Sequence, residues 1–134
     1  MRAVLDPNVL ISAIIGLGPP AEILAAWERG DLEIVVSDYL LDELSRALAR
    51  PKLSTRVTAD DAAAFVELLR RAATLEDDPP FHRRYSSDPD DDYLVALAHA
   101  SHAMLVSGDS DLLDLAPELP ILSPRQFLTE TMST

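Results

Sequence analysis

Short apolar runs alternate with helix-like segments along the whole chain, and that alternation limits the fold more than any other feature. A brief uninterrupted apolar run bounded by turn residues reads as a strand buried on both faces. Such runs lie at residues 2–5, 33–36, near 74–76, at 103–106 and at 121–122. Helices are expected between them. One covers 8–15 and is closed by Gly16 and Gly18. Another covers 21–29, opened by Pro19-Pro20 and stopped by Gly30. A third is capped by Ser37 or Asp38, runs through Ala49 and ends before Pro51. Thr58 opens a fourth reaching about Ala73, with Phe65, Val66, Leu68 and Leu69 as its apolar face. Asp77 to Ser87 is loop-like, and Asp88-Pro89 starts a helix running to about Ser101. Gly108 permits a tight turn, a helical turn covers 109–115, and Pro124 starts the last helix. Strands alternating with helices predict an α/β fold, a parallel sheet with both faces covered. In such sheets ligands bind beyond the carboxyl ends of the strands.

The 134 residues fit one domain, and 48% hydrophobic content is enough for a packed core. No apolar run is long enough to span a membrane, and the opening strand breaks at Asp6-Pro7, unlike a secretory signal. The cysteine count is zero, which removes disulfides, a catalytic thiol and cysteine-ligated metals. A cytoplasmic protein is expected. The net charge of -12, from 23 acidic and 11 basic residues, is the wrong sign for a module that binds nucleic acid mainly by neutralising phosphates. It fits either a solvated acidic surface or a carboxylate cluster that needs cations.

Four acids share a placement. Asp6 follows the first strand and Asp109 the strand at 103–106, so both emerge on the ligand-binding rim. Glu43 and Asp91 lie in early turns of helices that lean over it. At about 100° per residue, Glu43 flanks the stripe of Leu40, Leu41, Leu44, Ala47 and Leu48, whereas Asp42 points away. In the later helix Tyr93, Leu94, Leu97, Ala98 and Ala100 form the stripe. Asp91 flanks it, and Asp92 is expected to face solvent with His99; the position of the helix start decides between the two acids. Asp38, Asp60 and Asp88 are explained as caps or first-turn charges. Crowded carboxylates raise one another's pKa, and divalent cations relieve that cost. With no cysteine and only His82, His99 and His102, a hard oxygen-ligated ion is the simpler expectation.

The segments around these acids resemble a known family. Asp6-Pro7-Asn8-Val9-Leu10-Ile11-Ser12-Ala13 resembles the opening motif of PIN-domain proteins. The helix beginning Ser37-Asp38-Tyr39 and carrying Glu43 is similar to their second motif. Asp88-Pro89-Asp90-Asp91-Asp92-Tyr93-Leu94 resembles the third. Leu105-Val106-Ser107-Gly108-Asp109-Ser110-Asp111 resembles the fourth, and Leu122-Ser123-Pro124-Arg125-Gln126-Phe127 the tail of bacterial toxins of toxin–antitoxin pairs. The resemblance covers essentially the whole chain. It implies a three-layer α/β/α sandwich with a central parallel sheet of about five strands, and Mg²⁺- or Mn²⁺-dependent cleavage of RNA. It makes Asp6, Glu43, Asp91 and Asp109 the catalytic acids. Asp6, Asp91 and Asp109 are the metal ligands, with Glu43 nearby directly or through water. Asn8, Asp92, Ser107 and Asp111 support them. Pro7 stands where Thr or Ser is common, which removes a hydroxyl and an N–H.

The resemblance also implies a homodimer and an antitoxin protein that silences it. For RNA the chain offers Arg46, Arg50 and Lys52 along and after one helix, with the pairs Arg70-Arg71 and Arg83-Arg84. Trp27 and Phe65 suit a core or a dimer contact, and Leu40, Leu41 and Leu44 suit either. Three other readings compete. A PIN fold with weak activity would be an RNA- or protein-binding module. A receiver-type phosphoacceptor needs a lysine near the end of a late strand, but the only lysine is Lys52. An Asp-x-Asp phosphatase would need a second Asp where Asn8 stands.

Overall fold

A computed structural model describes residues 1–16, 18–79, 92–116 and 118–132. Five strands form one sheet in the order β3-β2-β1-β4-β5, every neighbouring pair parallel. They are β1 (Arg2–Leu5), β2 (Glu33–Val36), β3 (Thr74–Leu75), β4 (Met104–Val106) and β5 (Ile121–Leu122). Ala3, Val4, Leu5, Ile34, Val35 and Val36 are all fully buried. Successive strand residues point to opposite faces, so helices cover both sides of the sheet. Val4 sits at the centre, level with Val35 on one side and Leu105 on the other.

The helices are α1 (Pro7–Ile15), α2 (Gly18–Glu28), α3 (Asp38–Leu48), α4 (Pro51–Ser54), α5 (Ala59–Ala72), α6 (Asp92–Ala100), α7 (Ser110–Leu113) and α8 (Pro124–Phe127). A π-helical turn, Leu128–Met132, follows α8. The caps are local chemistry. Ser37, Thr58 and Ser123 each accept a backbone N–H of the first turn, and Gln126 completes a capping box with Ser123. Gly16 ends α1 at φ 88°, a left-handed conformation that costs glycine little. α1 packs on α2 and α3, α3 on α5, and α6 lies against β1 and β4. Leu40, Leu41 and Leu44 are fully buried and belong to this core, as does Phe65, while Trp27 packs half-buried at its edge. Among the described residues no single helix is long and apolar enough to cross a membrane.

Several sequence expectations need correction. α2 begins at Gly18, three residues before the expected start. Pro51 does more than stop α3: it occupies the first turn of α4, where its missing N–H is not needed. Leu68 is 39% exposed, so the inner face of α5 rests on Phe65 and Leu69. α6 is buried at every position from Asp92 to Ala98, with Ala100 exposed, because it is a short central helix rather than a half-exposed one. Gly108 is not among the positive-φ glycines, so its turn makes no special demand on the backbone. The expected start of α6 at Asp88-Pro89 lies outside the described residues.

The chain adds β2 and β3 on one side of β1, then crosses to add β4 and β5 on the other. The strand order therefore reverses between β1 and β4. The crevice beyond their carboxyl ends is where open α/β sheets bind ligands.

Candidate functional site

Asp6 occupies that crevice. Its backbone N–H donates to the Val106 carbonyl at 3.0 Å, extending the β1–β4 ladder by one residue. It is also the N-cap of α1, its Oδ1 accepting the Asn8 N–H at 2.9 Å. Asp6 is thus fixed between a strand end and a helix start, at 5% exposure. Pro7 takes the first helical position, where a free N–H would find no intrahelical acceptor. The Asn8 side chain is exposed, and the hydrogen bond it gives Asp6 comes from its main chain.

Ser107 is fully buried and reaches across from the end of β4. Its N–H donates to the Leu122 carbonyl at 3.0 Å, pinning it to β5. Its hydroxyl donates to Asp6 Oδ2 at 2.9 Å and accepts the Asp109 N–H at 3.0 Å. Asp109 caps α7, its Oδ1 accepting the Asp111 N–H at 2.9 Å. Asp111 itself is exposed. Burial pushes the Asp6 carboxyl above the ordinary carboxylate range; the Asn8 N–H and Ser107 hydroxyl pull it down, and the Asp109 charge pushes it up. A desolvated carboxylate beside a second one, in an all-oxygen setting, suits a hard divalent cation.

Two hollows meet at this carboxylate. One of about 370 Å³ is lined by Asp6, Asn8, Ser12, Gly108 and Asp109 among others. The other, about 190 Å³, is lined by Asp6, Asn8, Glu43, Arg50, Tyr93 and Leu94 among others. Asp6 and Asn8 belong to both and form the partition. Glu43 is half-buried and shares this second hollow with Asp6, while Asp42 is exposed. Glu43 is held by Arg46, one turn along α3, with Oε1 2.5 Å from the guanidinium. Arg50 opens onto the same hollow, whereas Lys52 is exposed in α4 and lines neither.

Asp92 does not face solvent. It is 4% exposed, although His99, on the same helical face, is open to water. Helical phase alone misplaced it, because the first turn of α6 sits inside the fold while the last emerges from it. Asp91, His82 and the pair Arg83-Arg84 lie outside the described residues. His99 and His102 are exposed and precede β4, at the amino ends of the strands, away from Asp6. Asp38 pairs with Arg70 at 2.7 Å, a surface contact. Among the described residues no three His, Asp or Glu side chains stand together closely enough to hold an ion. The structure thus brings Asp6, Ser107 and Asp109 into one bonded group and places Glu43 and Arg50 across a shared hollow.

Sequence reasoning missed two aromatic residues here. Tyr93 counted only as part of an apolar stripe, yet it lines the hollow with Asp6. Tyr39 stacks edge-on against it, ring centroids 4.5 Å apart. The signal was available: Tyr39 and Glu43 are one helical turn apart.

The sequence profile of the PIN domain matches residues 2–111. An uncharacterized protein of Methanocaldococcus jannaschii is 25% identical over 141 positions, covering 97% of this chain and 91% of that protein. The fold is similar to a chain in the crystal structure of VapBC2 from Rickettsia felis bound to a DNA fragment from their promoter. That match has a TM-score of 0.61 and 15% identity, and covers 92% of this chain and 98% of the other. It is also similar to the crystal structure of a Pyrobaculum aerophilum protein, with a TM-score of 0.67, 18% identity, and coverage of 99% and 90%.

Proposed function

The chain belongs to the PIN domain family, and from that membership we propose that it is a metal-dependent endoribonuclease acting as the toxin of a toxin–antitoxin pair. One observation carries the reading: the buried Asp6 carboxylate is fixed by Ser107 and the Asn8 N–H beside Asp109, at the point where the strand order reverses.

Asp6 and Asp109 would hold Mg²⁺ or Mn²⁺, with Asp91 as the third acid and Glu43 reached directly or through water. Such an ion supplies Lewis acidity that activates water and offsets charge on the leaving oxygen of a phosphodiester. The chain's own part is to keep those oxygens in place. Among the described residues each Asp6 oxygen accepts one hydrogen bond, which leaves it a lone pair for an ion. Ser107 sets the carboxylate plane and the backbone of Asp109 together. Arg50, at the smaller hollow, is suited to a phosphate of the bound strand. The two hollows on either side of Asp6 leave room for nucleotides flanking the cleaved bond.

A silencing antitoxin partner is supported by the likeness to VapBC2. A homodimer enters the reading only as what the resemblance to the toxins of such pairs implies. We place the protein in the cytoplasm.

The test is cleavage of defined RNAs by purified protein with Mg²⁺, with Mn²⁺ and with chelator, beside Asp6→Asn. Cleavage that needs the ion and disappears in Asp6→Asn is the expected result. Equal cleavage by Asp6→Asn defeats the reading.

A further inference from the structure

We propose that Arg46 is a positioning residue for Glu43, holding one carboxylate oxygen from outside the crevice so that the other is presented to it. The inference rests on the nuclease reading above and adds a residue to its machinery.

α3 carries both groups. Glu43 and Arg46 are one helical turn apart with the acid on the N-terminal side, the order in which such pairs meet best. The guanidinium lies 2.5 Å from Glu43 Oε1. Among the described residues Glu43 Oε2 accepts no hydrogen bond. Glu43, Ala47 and Arg50 line the hollow that holds Asp6, and Arg46 does not. The Arg46 side chain is 62% exposed and that of Glu43 34%. The carboxylate therefore stands between the hollow and a cation that approaches it from the solvent side.

The two arginines that follow Glu43 are used differently. Arg50 lines the hollow and makes no ion pair among the described residues, whereas Arg46 is engaged. A glutamate left alone loses rotamer freedom when a site fixes it, and Arg46 meets that cost in advance. An exposed pair of this kind contributes little to stability, because solvent screens it. Its effect is on where the carboxylate points. Arg46 also offsets the Glu43 charge, which makes that acid a weaker direct ligand for a cation than the buried Asp6.

The experiment compares wild type with Arg46→Met, Arg46→Lys, Glu43→Gln and the double variant Glu43→Gln/Arg46→Met. Urea unfolding, calorimetric Mn²⁺ titration and cleavage of a defined RNA at saturating Mn²⁺ are measured for each. Arg46→Met keeps the apolar stem and is expected to unfold like wild type. Its Mn²⁺ affinity should hold or rise, while kcat falls about 10–100-fold with KM little changed. Arg46→Lys should recover part of kcat, since a lysine one turn on still reaches the carboxylate. In the Glu43→Gln background Arg46→Met should change nothing further, as for groups that act through one another. Without divalent ions, the Arg46 guanidinium N–H signals in nuclear magnetic resonance should exchange slowly in wild type and fast in Glu43→Gln. Equal exchange rates, unchanged kcat in Arg46→Met, or additive losses in the double variant overturn the proposal. A fall in Mn²⁺ affinity that tracks lost stability also overturns it. So does a raised KM with a flatter salt dependence at unchanged kcat, which makes Arg46 a phosphate contact. If wild type cuts no RNA, the nuclease reading fails, and the exchange rates and Mn²⁺ titrations still decide whether Arg46 holds Glu43. If wild type cuts and Arg46→Met cuts as fast, the positioning role alone fails.

Discussion

The Ser107 hydroxyl donates to Asp6 Oδ2 at 2.9 Å, joining residues 101 positions apart. The Ser107 hydroxyl oxygen in turn accepts the Asp109 N–H at 3.0 Å. One buried side chain therefore orients one acid and anchors the backbone of the next.

Ser107→Ala removes both contacts at once. A buried acceptor and a part-buried donor lose their partner, which costs about 1–3 kcal/mol. The orientation of two candidate ligands loosens too, and Mn²⁺ affinity is expected to fall about 10–100-fold. Denaturant unfolding and calorimetric titration read the two effects separately. Unchanged Mn²⁺ affinity in a destabilised variant would make Ser107 a packing residue only.

The direction of the Asp6 shift fixes a pH dependence. Its carboxyl binds a proton more tightly folded than unfolded, since burial raises it above the ordinary carboxylate range. The folded state then carries more protons through that window, and stability falls as pH rises through the folded value. Without divalent ions, Asp6→Asn should be at least as stable as wild type at neutral pH. Its advantage should shrink as pH falls into the ordinary carboxylate range. A pH-independent difference between the two in urea titrations would contradict this.

Divalent ions should reverse that ranking. An ion binding only the folded chain at 100 times its dissociation constant stabilises it by about 2.7 kcal/mol. Mn²⁺ should therefore raise the melting temperature of wild type and leave that of Asp6→Asn unmoved. Equal shifts in both proteins would place the ion elsewhere.

Arg46 and Arg50 are expected to separate in function. Arg46 is engaged with Glu43, while Arg50 opens onto the hollow beside Asp6. Arg50→Ala should raise KM and flatten the dependence of log(kcat/KM) on log[salt] by roughly 0.7–1, the loss of one phosphate contact. Lys52→Ala should change the slope less, because Lys52 lies outside that hollow. Identical slopes for all three proteins would remove Arg50 from the RNA path.

The centre of the sheet was legible in the sequence because β1, β2 and β4 are largely buried and so read as plain apolar runs. Asp6 was legible for the same reason, as the first charge after Val4-Leu5. Asp92 was not. Its burial follows from where α6 enters the fold, which periodicity does not encode. α4 was hidden because Pro51 signals the end of one helix and the start of another with the same ring. The Ser107–Asp6 bond joins two strand ends whose adjacency only the strand order decides.

That strand order also sets when the site comes into being. β1 is the first strand made and the central one, yet its β4 flank arrives about a hundred residues later. Contacts so distant in sequence form late, after the entropy of closing the intervening loop has been met. On a ribosome, Asp6 emerges early but gains Ser107 only once β4 has been made and docked. A nascent chain carries the acid without the carboxylate geometry, and the site signals completed folding.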